Sequence, residues 1–257
     1  MEATLQDGDT LYGWYHWEPH AEDVCAAFPK TAPQIGALVS HDNGVHWKDL
    51  GIVLRAPEGD LHCDTPNGYF AGGHGDFSVL PDREREQVYF FFDNYGGPAE
   101  TQGVCIGRMS FADLDDPVGK VWKWHAGQWS EPGLDGRMTP FLPVAQDWHA
   151  EDVDAFWGPS IHWNTHLEQY VILLNRAIDP AWGQEGIYIT GNRDISDPAG
   201  WSQPERLPLE LEGPIHMQFY PQIFGVNAQA RETDKLAGAE ARLFVAGVSR
   251  WMIRFGR

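Results

Sequence analysis

The sequence predicts an all-β fold, and three features support this class. The 257-residue chain contains 12 Trp, 28 Gly and 18 Pro, so bulky aromatic residues are interspersed with residues that favour turns. Short runs rich in β-branched and aromatic residues recur along the chain, bounded by Gly, Asp, Asn or Pro. A helical period is recognisable only at residues 233–242. We therefore expect short strands joined by turns, with one short helix as the only candidate.

The predicted strands fall into units of similar order, which indicates a repeat architecture. In each unit a small, polar opening strand is followed by a turn, an aromatic-rich strand, a third strand and a segment that carries Trp. Four strands per unit, repeated around an axis, are typical of a β-propeller blade, and a β-sandwich with coincidental spacing is the alternative. We expect residues 1–257 to form one β-propeller domain, with units at roughly 10–60, 70–135, 155–207 and 218–257.

The first of these units is predicted to be incomplete. Residues 11–17, 35–39 and 47–54 match the second, third and fourth strands of a unit, and no opening strand is recognised before Leu11. Three units and this partial one are few for a closed ring. The chain is therefore expected to begin inside a blade.

The charge of the chain argues against several classes of partner. Asp and Glu outnumber Lys and Arg by 37 to 18, giving a formal net charge of −19 at pH 7. Such a field repels phosphate backbones and anionic lipid surfaces, so neither nucleic acid nor a membrane is an expected partner. No segment approaches the ~20 apolar residues that span a bilayer. The N-terminus lacks the layout of a signal peptide, so a cytoplasmic protein is expected if the start is authentic, and the compartment otherwise stays open.

The cysteines and histidines follow no metal or disulfide pattern. Cys25, Cys63 and Cys105 are odd in number and widely spaced, which favours buried or half-buried thiols. The 11 histidines are scattered, without the close spacing of a metal site. No cofactor is therefore predicted, and a divalent cation on the propeller axis is compatible with the sequence but is not indicated by it.

One turn fits a motif known from other propellers. Residues 40–47 read Ser-His-Asp-Asn-Gly-Val-His-Trp, which resembles the Asp-box of sialidase-type propellers. In this turn Asp42 is expected to bind backbone amides, Gly44 to adopt a positive φ, and Trp47 to pack between strands. The expected role is structural.

Two short motifs lie on the opening strands of the second and third units. They read Gly-Asp-Phe-Ser-Val at residues 75–79 and Trp-Gly-Pro-Ser-Ile at residues 157–161. In these motifs the chain resembles the five-bladed propellers of the arabinanase, levansucrase and invertase group, particularly glycoside hydrolase family 43. The resemblance extends over residues 10–255 in layout. It implies a propeller of the five-bladed type whose first strands line a central pocket and carry acidic residues.

The resemblance transfers only one of the three acids expected of the family. Asp76 matches the second-blade residue, which in the family tunes the pKa of the proton donor and orients the sugar. Trp157 stands where the third-blade motif has the general acid, and the first-blade base would lie on the strand that is not recognised before Leu11. Because glycoside hydrolysis normally needs two carboxyl groups, other acids must complete the site or the activity is absent.

Further acids are candidates to complete the site: Asp154 or Asp152 shortly before Trp157, Asp64 before the strand of Asp76, and Glu185. Asp154 lies shortly before Trp157 and is the first candidate for the general acid, and Glu185 opens the third strand of the same unit. Apolar walls would raise the pKa of an acid in such a pocket. The alternative is that these acids are solvent-exposed charges on loops. This alternative is weakest for Asp76, because the glycines before its strand let a ligand approach the backbone. The predicted catalytic residues are Asp76, Asp154 and Glu185.

The predicted substrate-binding residues are mainly aromatic, because the apolar face of a sugar ring suits an indole. Trp157 is the first candidate for stacking, and the set also contains His74, Asp64, Trp163, Trp14 and Tyr220. Packing between blades is the alternative for the aromatic members. The sequence thus predicts a protein that cleaves a glycosidic bond of an oligosaccharide in an axial pocket lined by carboxylates. The alternative is a non-catalytic carbohydrate-binding propeller that has lost the usual acid and base.

Overall fold

A computed structural model describes residues 1–26, 30–66, 68–180, 183–209 and 219–256 of the chain. These residues form an all-β structure in which four sheets are arranged as the blades of a propeller. The sheets follow one another along the chain, and the expected unit boundaries stay a prediction. Residues 27–29, 181–182, 218 and 257 of those units lie outside the described part. The all-β prediction is confirmed, whereas the five-bladed count is not, since the described residues build four sheets.

The first two sheets are antiparallel. The first has the order β1-β2-β3-β4 and contains β1 (Ala3–Asp7), β2 (Thr10–Trp17), β3 (Gln34–Ser40) and β4 (Lys48–Leu54). The second contains β5 (His74–Asp82), β6 (Gln87–Asn94), β7 (Gly103–Ser110), β8 (Trp122–His125) and β9 (Gln128–Pro132), with β10 (Leu142–Pro143) paired to β7.

The remaining strands form the third and fourth sheets. The third contains β11 (Ala155–Asn164), β12 (Gln169–Ala177), β13 (Gln184–Asn192) and β14 (Glu205–Arg206), with β16 (Leu236–Ala237) parallel to β11. The fourth contains β15 (Gln222–Gly225), β17 (Glu240–Val245) and β18 (Val248–Arg254). In the described part of the chain the helical elements are α1 (Ala21–Val24) and the 3₁₀ turns Glu58–Asp60, Ala99–Thr101, Phe111–Asp113 and Pro198–Gly200.

The opening strand of the first sheet is present, so the expectation that it is missing was wrong. Strand β1 pairs antiparallel with β2, from Ala3 opposite Trp14 to Asp7 opposite Thr10. Only Ala3 and Leu5 of this strand face the core, which leaves too few apolar residues for a recognisable pattern. The sheet with the fewest strands among the described residues is the fourth, with three. Among the described residues, the sheet with the fewest strands thus lies at the opposite end of the chain from the one expected.

Two further expectations are corrected by the structure. Residues 233–242 form no helix, because Leu236–Ala237 and Glu240–Val245 are strands. Cys25 and Cys63 form a disulfide with their Cα atoms 5.5 Å apart, while Cys105 is a buried thiol. The disulfide joins the β2–β3 loop to the β4–β5 loop. Sequence spacing carries no sign of such a pair, because only the fold brings the two loops together.

Apolar contacts between neighbouring sheets hold the blades together. Trp14 of β2 packs edge-on against Phe90 of β6, with ring centroids 5.5 Å apart. Between the second and third sheets, Phe91 meets Trp201 at 5.7 Å. Burial of one such side chain stabilises the fold by about 2–3 kcal/mol. The alternating residues of β6 thus contact both neighbouring sheets, as the packing of propeller blades requires.

The Asp-box turn closes as the sequence predicts. The Asp42 carboxylate accepts a hydrogen bond from the His46 backbone N–H at 2.9 Å, and Gly44 has φ +81°. The Trp47 indole N–H donates to the Gly44 carbonyl at 3.0 Å. Each contact is internal to the turn, so its role is structural.

Candidate active site

An axial cavity of about 360 Å³ lies where the first strands of the four sheets come together. Its lining includes Glu2 just before β1, Asp76 on β5, Gly158 on β11 and Tyr220 just before β15. The Glu2 N–H donates to the Trp14 carbonyl at 2.9 Å, which extends the β1–β2 pairing to this residue. Each of the four sheets therefore supplies a residue to one cavity.

The inner strands bend at the same point to expose these residues. Asp76, Gly158 and Tyr220 all have a positive φ, of +42°, +63° and +54°. The pairing of β5 with β6 and that of β11 with β12 both shift register at this point. A positive φ costs a non-glycine residue on the order of 1 kcal/mol or more, and such strain is concentrated at functional sites. The bulges are therefore candidates for a functional feature of the cavity.

Asp76 is held by two tyrosines and is only 6% exposed. The Tyr95 hydroxyl donates to Oδ2 of Asp76, and the Tyr220 hydroxyl donates to Oδ1 at 2.9 Å. Burial raises the pKa of Asp76, against the opposing effects of the two hydroxyls and of His16. The geometry thus fixes a carboxyl group of raised pKa at the cavity wall.

Glu2 lies opposite, with its side chain 39% exposed. Its Oε1 is 3.4 Å from Nδ1 of His16, and His16 in turn packs against the backbone of Gly75. Burial lowers the pKa of His16, but the carboxylates of Glu2, Asp76 and Glu18 outweigh this effect and raise it above its usual value. The His16 imidazole therefore lies within ion-pair distance of Glu2 and interacts electrostatically with Asp76.

Asp93 lies behind the cavity wall and is fully buried. Its Oδ2 accepts a hydrogen bond from the Gly158 N–H at 2.8 Å, and its Oδ1 has no hydrogen-bond partner among the described residues. Burial, followed by the charge of Asp76, raises the pKa of Asp93 well above its ordinary value. The buried position of Asp93 therefore favours its protonated form, and its carboxyl group holds the bulge of β11.

The fold is similar to that of solved proteins that act on carbohydrates. The fructofuranosidase from Schwanniomyces occidentalis, complexed with fructose, aligns with a TM-score of 0.53 and 12% identity over 95% of this chain and 39% of its own. An exo-1,5-α-L-arabinanase from a bovine ruminal metagenomic library aligns with a TM-score of 0.50 and 11% identity, over 94% of this chain and 66% of its own. The fold is that of the β-propeller glycoside hydrolases.

A third similar structure belongs to a phosphorylase. The β-1,2-mannobiose phosphorylase from Listeria innocua, in complex with β-1,2-mannobiose, aligns with a TM-score of 0.51 and 12% identity over 97% of this chain and 55% of its own. This chain thus spans between 39% and 66% of the three proteins. No protein-family model and no curated protein matches the sequence. The similarity to these solved structures confirms, at the level of the fold, the resemblance noted in the opening strands.

Two of the residues predicted from the sequence meet at the cavity, and a third supports them. Asp76 and Tyr220 both line it and are hydrogen-bonded to each other. Trp157 packs edge-on against Tyr220, with ring centroids 5.4 Å apart, but is only 2% exposed. Its indole N–H donates to Oε1 of Gln184 at 3.1 Å. Trp157 therefore supports the cavity from the buried side, with little ring surface available for stacking on a sugar.

Asp154 and Glu185 come together at a different place. Both oxygens of Asp154 accept hydrogen bonds from the Arg176 guanidinium, at 2.7 and 2.6 Å. Oε2 of Glu185 is 3.7 Å from Nη1 of Arg176 and accepts a hydrogen bond from the Tyr188 hydroxyl. Neither acid is among the residues that line the axial cavity. Their predicted catalytic roles stay predictions, and the ion pairs favour a structural role.

The other predicted binding residues lie outside the cavity lining. His74 is fully buried, and burial lowers its pKa well below the usual value. Trp14 is buried between the first two sheets, and Trp163 packs against Tyr170 at 4.7 Å. Asp64 is exposed on the β4–β5 loop. Trp14 and Trp163 thus make packing contacts, as the alternative interpretation of the aromatic residues expects.

Sequence reasoning missed the residues that surround Asp76. Glu2 precedes a strand whose pattern is too polar to recognise, so it carried no signal. Asp93 follows the aromatic run at residues 88–92 and could have been noticed as an acid that ends a buried strand. Tyr95 and His16 gave no motif, because only the fold brings them to the cavity.

Within the described residues, no group of three or more His, Cys, Asp or Glu side chains is arranged to hold a metal ion. The same part of the chain contains no helix with the length and apolar character needed to cross a membrane.

Proposed function

We propose that the protein cleaves a glycosidic bond of an oligosaccharide bound in the axial cavity. One observation carries this proposal: two carboxyl groups, those of Asp76 and Glu2, line the same cavity. Glycoside hydrolysis normally uses such a pair, one as proton donor and the other as base or nucleophile. The fold supports the proposal, since the propellers that share it include a fructofuranosidase and an arabinanase.

We propose different roles for the two acids from their environments. Burial raises the pKa of Asp76, so its protonated form donates the proton to the glycosidic oxygen as the bond to the anomeric carbon breaks. Glu2 is more exposed and lies beside His16, so its carboxylate accepts the proton of the attacking water. The hydroxyls of Tyr95 and Tyr220 orient Asp76 for this step.

The test is a screen of the purified chain against aryl glycosides, including arabinofuranosides and xylosides. Asp76→Asn and Glu2→Gln are each expected to lower kcat/KM by about 10²–10⁴-fold, because each removes a proton-transfer group. Asp154→Asn and Glu185→Gln are matched controls in the ion-pair cluster, and folding of all four variants is checked by thermal unfolding. Loss of turnover in Asp154→Asn alone would instead favour Asp154, the first candidate for the general acid in the sequence.

The acceptor of the glycosyl group is tested in the same screen. One of the proteins that share the fold is a phosphorylase. Each substrate is therefore incubated with and without inorganic phosphate, and the product is examined for a sugar phosphate. Hydrolysis without phosphate supports the proposal as stated. Turnover that requires phosphate would show that phosphate, and not water, accepts the glycosyl group.

A carbohydrate-binding protein without catalytic activity is the second candidate. Trp157 occupies the position where the resembling family has its general acid, and Tyr220, which lines the cavity, is 55% exposed as a residue. This candidate predicts saturable sugar binding without turnover, with loss of binding in Tyr220→Ala. Calorimetric titration with the sugars of the screen separates the two functions.

A further inference from the structure

His16 lies beside the axial cavity and is not among the residues that line it. It belongs to β2, and its side chain is 13% exposed. Its Nδ1 is 3.4 Å from Oε1 of Glu2, whereas its Nε2 is 3.7 Å from Oε1 of Glu18 and has no hydrogen-bond partner among the described residues. A buried ring nitrogen without a partner is uncommon. Attraction between a charged ring and the surrounding carboxylates accounts for this position.

The imidazole packs against the backbone that directly precedes Asp76. Gly75 of β5 lies there, and a Cβ atom at this residue would be 2.9 Å from Cε1 and 3.1 Å from Nε2 of His16. Nonbonded carbon atoms normally stay about 3.5–4.0 Å apart, so a side chain at residue 75 would displace the ring. The Phe70 ring also packs against His16, with ring centroids 6.2 Å apart. Gly75 therefore lets the imidazole approach the strand of Asp76, and Phe70 helps to hold it there.

The groups that face His16 are either negatively charged or uncharged. Carboxylates act on it from three elements, namely Glu2 before β1, Glu18 after β2 and Asp76 on β5, while the glycine backbone and the phenyl ring that pack against it are uncharged. Burial lowers the pKa of His16, but the carboxylates raise it above its usual value. In turn, burial raises the pKa of Asp76, and the charge of His16 is one of the effects that oppose this rise. His16 thus supplies a positive charge that acts on both acids of the cavity.

We propose that His16 is a positioning residue for the two carboxyl groups, whose imidazolium holds the Glu2 carboxylate and stabilises the negative charge that forms on Asp76 during catalysis. The inference rests on the proposed function and adds a residue that acts through both acids. In that reaction Asp76 gives its proton to the glycosidic oxygen, and Glu2 takes a proton from the attacking water. One negative charge therefore disappears from Glu2 as another forms on Asp76. A fixed cation that acts on both groups offsets the charge before and after this transfer.

The first experiment compares the pH profiles of wild type and His16→Gln on an aryl glycoside that the screen finds to be cleaved. Gln removes the charge but keeps an N–H donor. We expect kcat to fall about 10-fold, the difference between a hydrogen bond to a charged group and a neutral one. KM should change little, because His16 does not line the cavity. The basic limb of the kcat/KM profile should move up by about 1 pH unit, because loss of the imidazolium raises the pKa of Asp76.

The second experiment needs no turnover. Carboxyl ¹³C NMR follows the titration of Asp76, whose signal is identified by its absence in Asp76→Asn. The midpoint should rise by about 1 pH unit in His16→Gln. Coupling between two sites is reciprocal, so the imidazole titration of His16 should move down by the same amount in Asp76→Asn, and it should also move down in Glu2→Gln. The reciprocal measurement decides the matter even if His16→Gln does not fold.

His46 provides the matched control. Its Nδ1 is 2.7 Å from Oδ2 of Asp42, so it forms a histidine–carboxylate pair outside the cavity, in the Asp-box turn. His46→Gln should leave kcat and the pH profile unchanged. The imidazole NMR signals of His46 should likewise not respond to Asp76→Asn or Glu2→Gln. Equal responses of His46 and His16 would reveal a general effect of net charge and overturn the inference.

The outcomes separate this inference from the proposed function. Hydrolysis with the same pH profile and the same Asp76 titration in wild type and His16→Gln would overturn the inference and leave the function standing. A lower kcat with an unmoved profile would indicate a structural role of His16 and would also overturn the inference. Coupled titrations of His16 and Asp76 without hydrolysis of any glycoside would overturn the function and leave the link between His16 and the two acids standing. Absence of both coupling and turnover would overturn both.

Discussion

Asp93 and Asn175 occupy equivalent positions, although only one of them can ionise. Asp93 of β6 faces Gly75 of β5, and Asn175 of β12 faces Trp157 of β11. Each side chain accepts a hydrogen bond from the bulge residue of the next sheet, which is Gly158 for Asp93 and a tyrosine for Asn175. The second strand of a blade thus anchors the first strand of the following blade. A neutral side-chain oxygen is sufficient for this contact.

This equivalence leads to a prediction for Asp93→Asn. Burial raises the pKa of Asp93 in the folded chain well above the value of about 3.9 for an unfolded aspartate. Between these two values the unfolded state binds fewer protons, so the wild-type protein loses stability as the pH rises. Asp93→Asn should therefore be more stable than wild type at neutral pH, by an amount that shrinks toward about pH 4. Urea unfolding across this pH range measures the difference.

The reverse change, Asn175→Asp, is the matched control. It introduces a buried acid at the equivalent site and should destabilise the protein by about 1–3 kcal/mol at neutral pH. Equal stability of wild type and Asp93→Asn at every pH would show that Asp93 ionises without cost, contrary to its buried position.

At the scale of elements, recognition depended on how many apolar residues a strand contains. The aromatic strand β6 and the apolar strand β12 are buried on both faces, so their long apolar runs made them easy to predict. Strand β1 has one buried face of two residues, and it was missed. Residues 233–242 had a helical pattern, but pairing of β16 with β11 and of β17 with β15 overrides this local preference.

Lys123 of β8 shows how a buried charge can connect two sheets. Its ammonium group donates to the Arg55 carbonyl at 3.0 Å and to the Gly136 carbonyl at 2.9 Å. The side chain is fully buried, and burial lowers its pKa to about 7. Arg55 follows the last strand of the first sheet, and Gly136 follows β9 of the second sheet. The lysine thus joins two neighbouring blades.

The lowered pKa of Lys123 predicts how stability depends on pH. An unfolded lysine titrates at about pH 10.4, so between about pH 7 and 10 the unfolded state binds more protons than the folded state. Stability from this group therefore rises with pH, by up to about 1.4 kcal/mol per pH unit. Lys123→Met should lack this slope, and subtracting its urea-unfolding free energy from that of wild type isolates the effect. A difference that stays constant over this range would contradict the prediction.

At the scale of the whole molecule, the site could be predicted only in part. Asp76 was found because its motif lies within one strand. Its partners Glu2, Tyr95 and Tyr220 come from three other places in the chain, and Asp93 acts through a contact between sheets. A single sequence contains no record of which blades become neighbours. The same limit explains why position along the chain points to Asp154 and Glu185, whereas the fold places both acids beside Arg176.

In the described part of the chain, the first and fourth sheets each have a face with exposed aromatic or apolar side chains, here called the uncovered face. On the outward side of the first sheet, a depression of about 510 Å³ is lined by Tyr15, Trp17 and Asp49, among others. On the fourth sheet, Phe224 is 47% and Met252 is 52% exposed. Apolar patches of this kind mark sites of interaction, and a fifth sheet would cover both. The five-bladed ring therefore stays a prediction that these two faces favour.

The uncovered faces also predict how the chain behaves at high concentration. The outward side of the fourth sheet combines Phe224 and Met252 with the exposed Arg242, whereas the first sheet presents aromatic rings and the Asp49 carboxylate. These complementary faces should pair between copies, so we expect weak, concentration-dependent self-association. Its charged contacts should weaken as the salt concentration rises. Sedimentation velocity over a series of protein concentrations measures it.

The double change Phe224→Lys and Met252→Lys should suppress this association, because it places charge on the apolar face without disturbing the core. Its stability should stay within about 0.5 kcal/mol of wild type, as is usual for exposed positions. Ile178→Lys is the matched control, since Ile178 is 43% exposed but follows β12 of the third sheet. A chain that stays monomeric at every concentration, or a control as effective as the double change, would show that these faces do not attract each other.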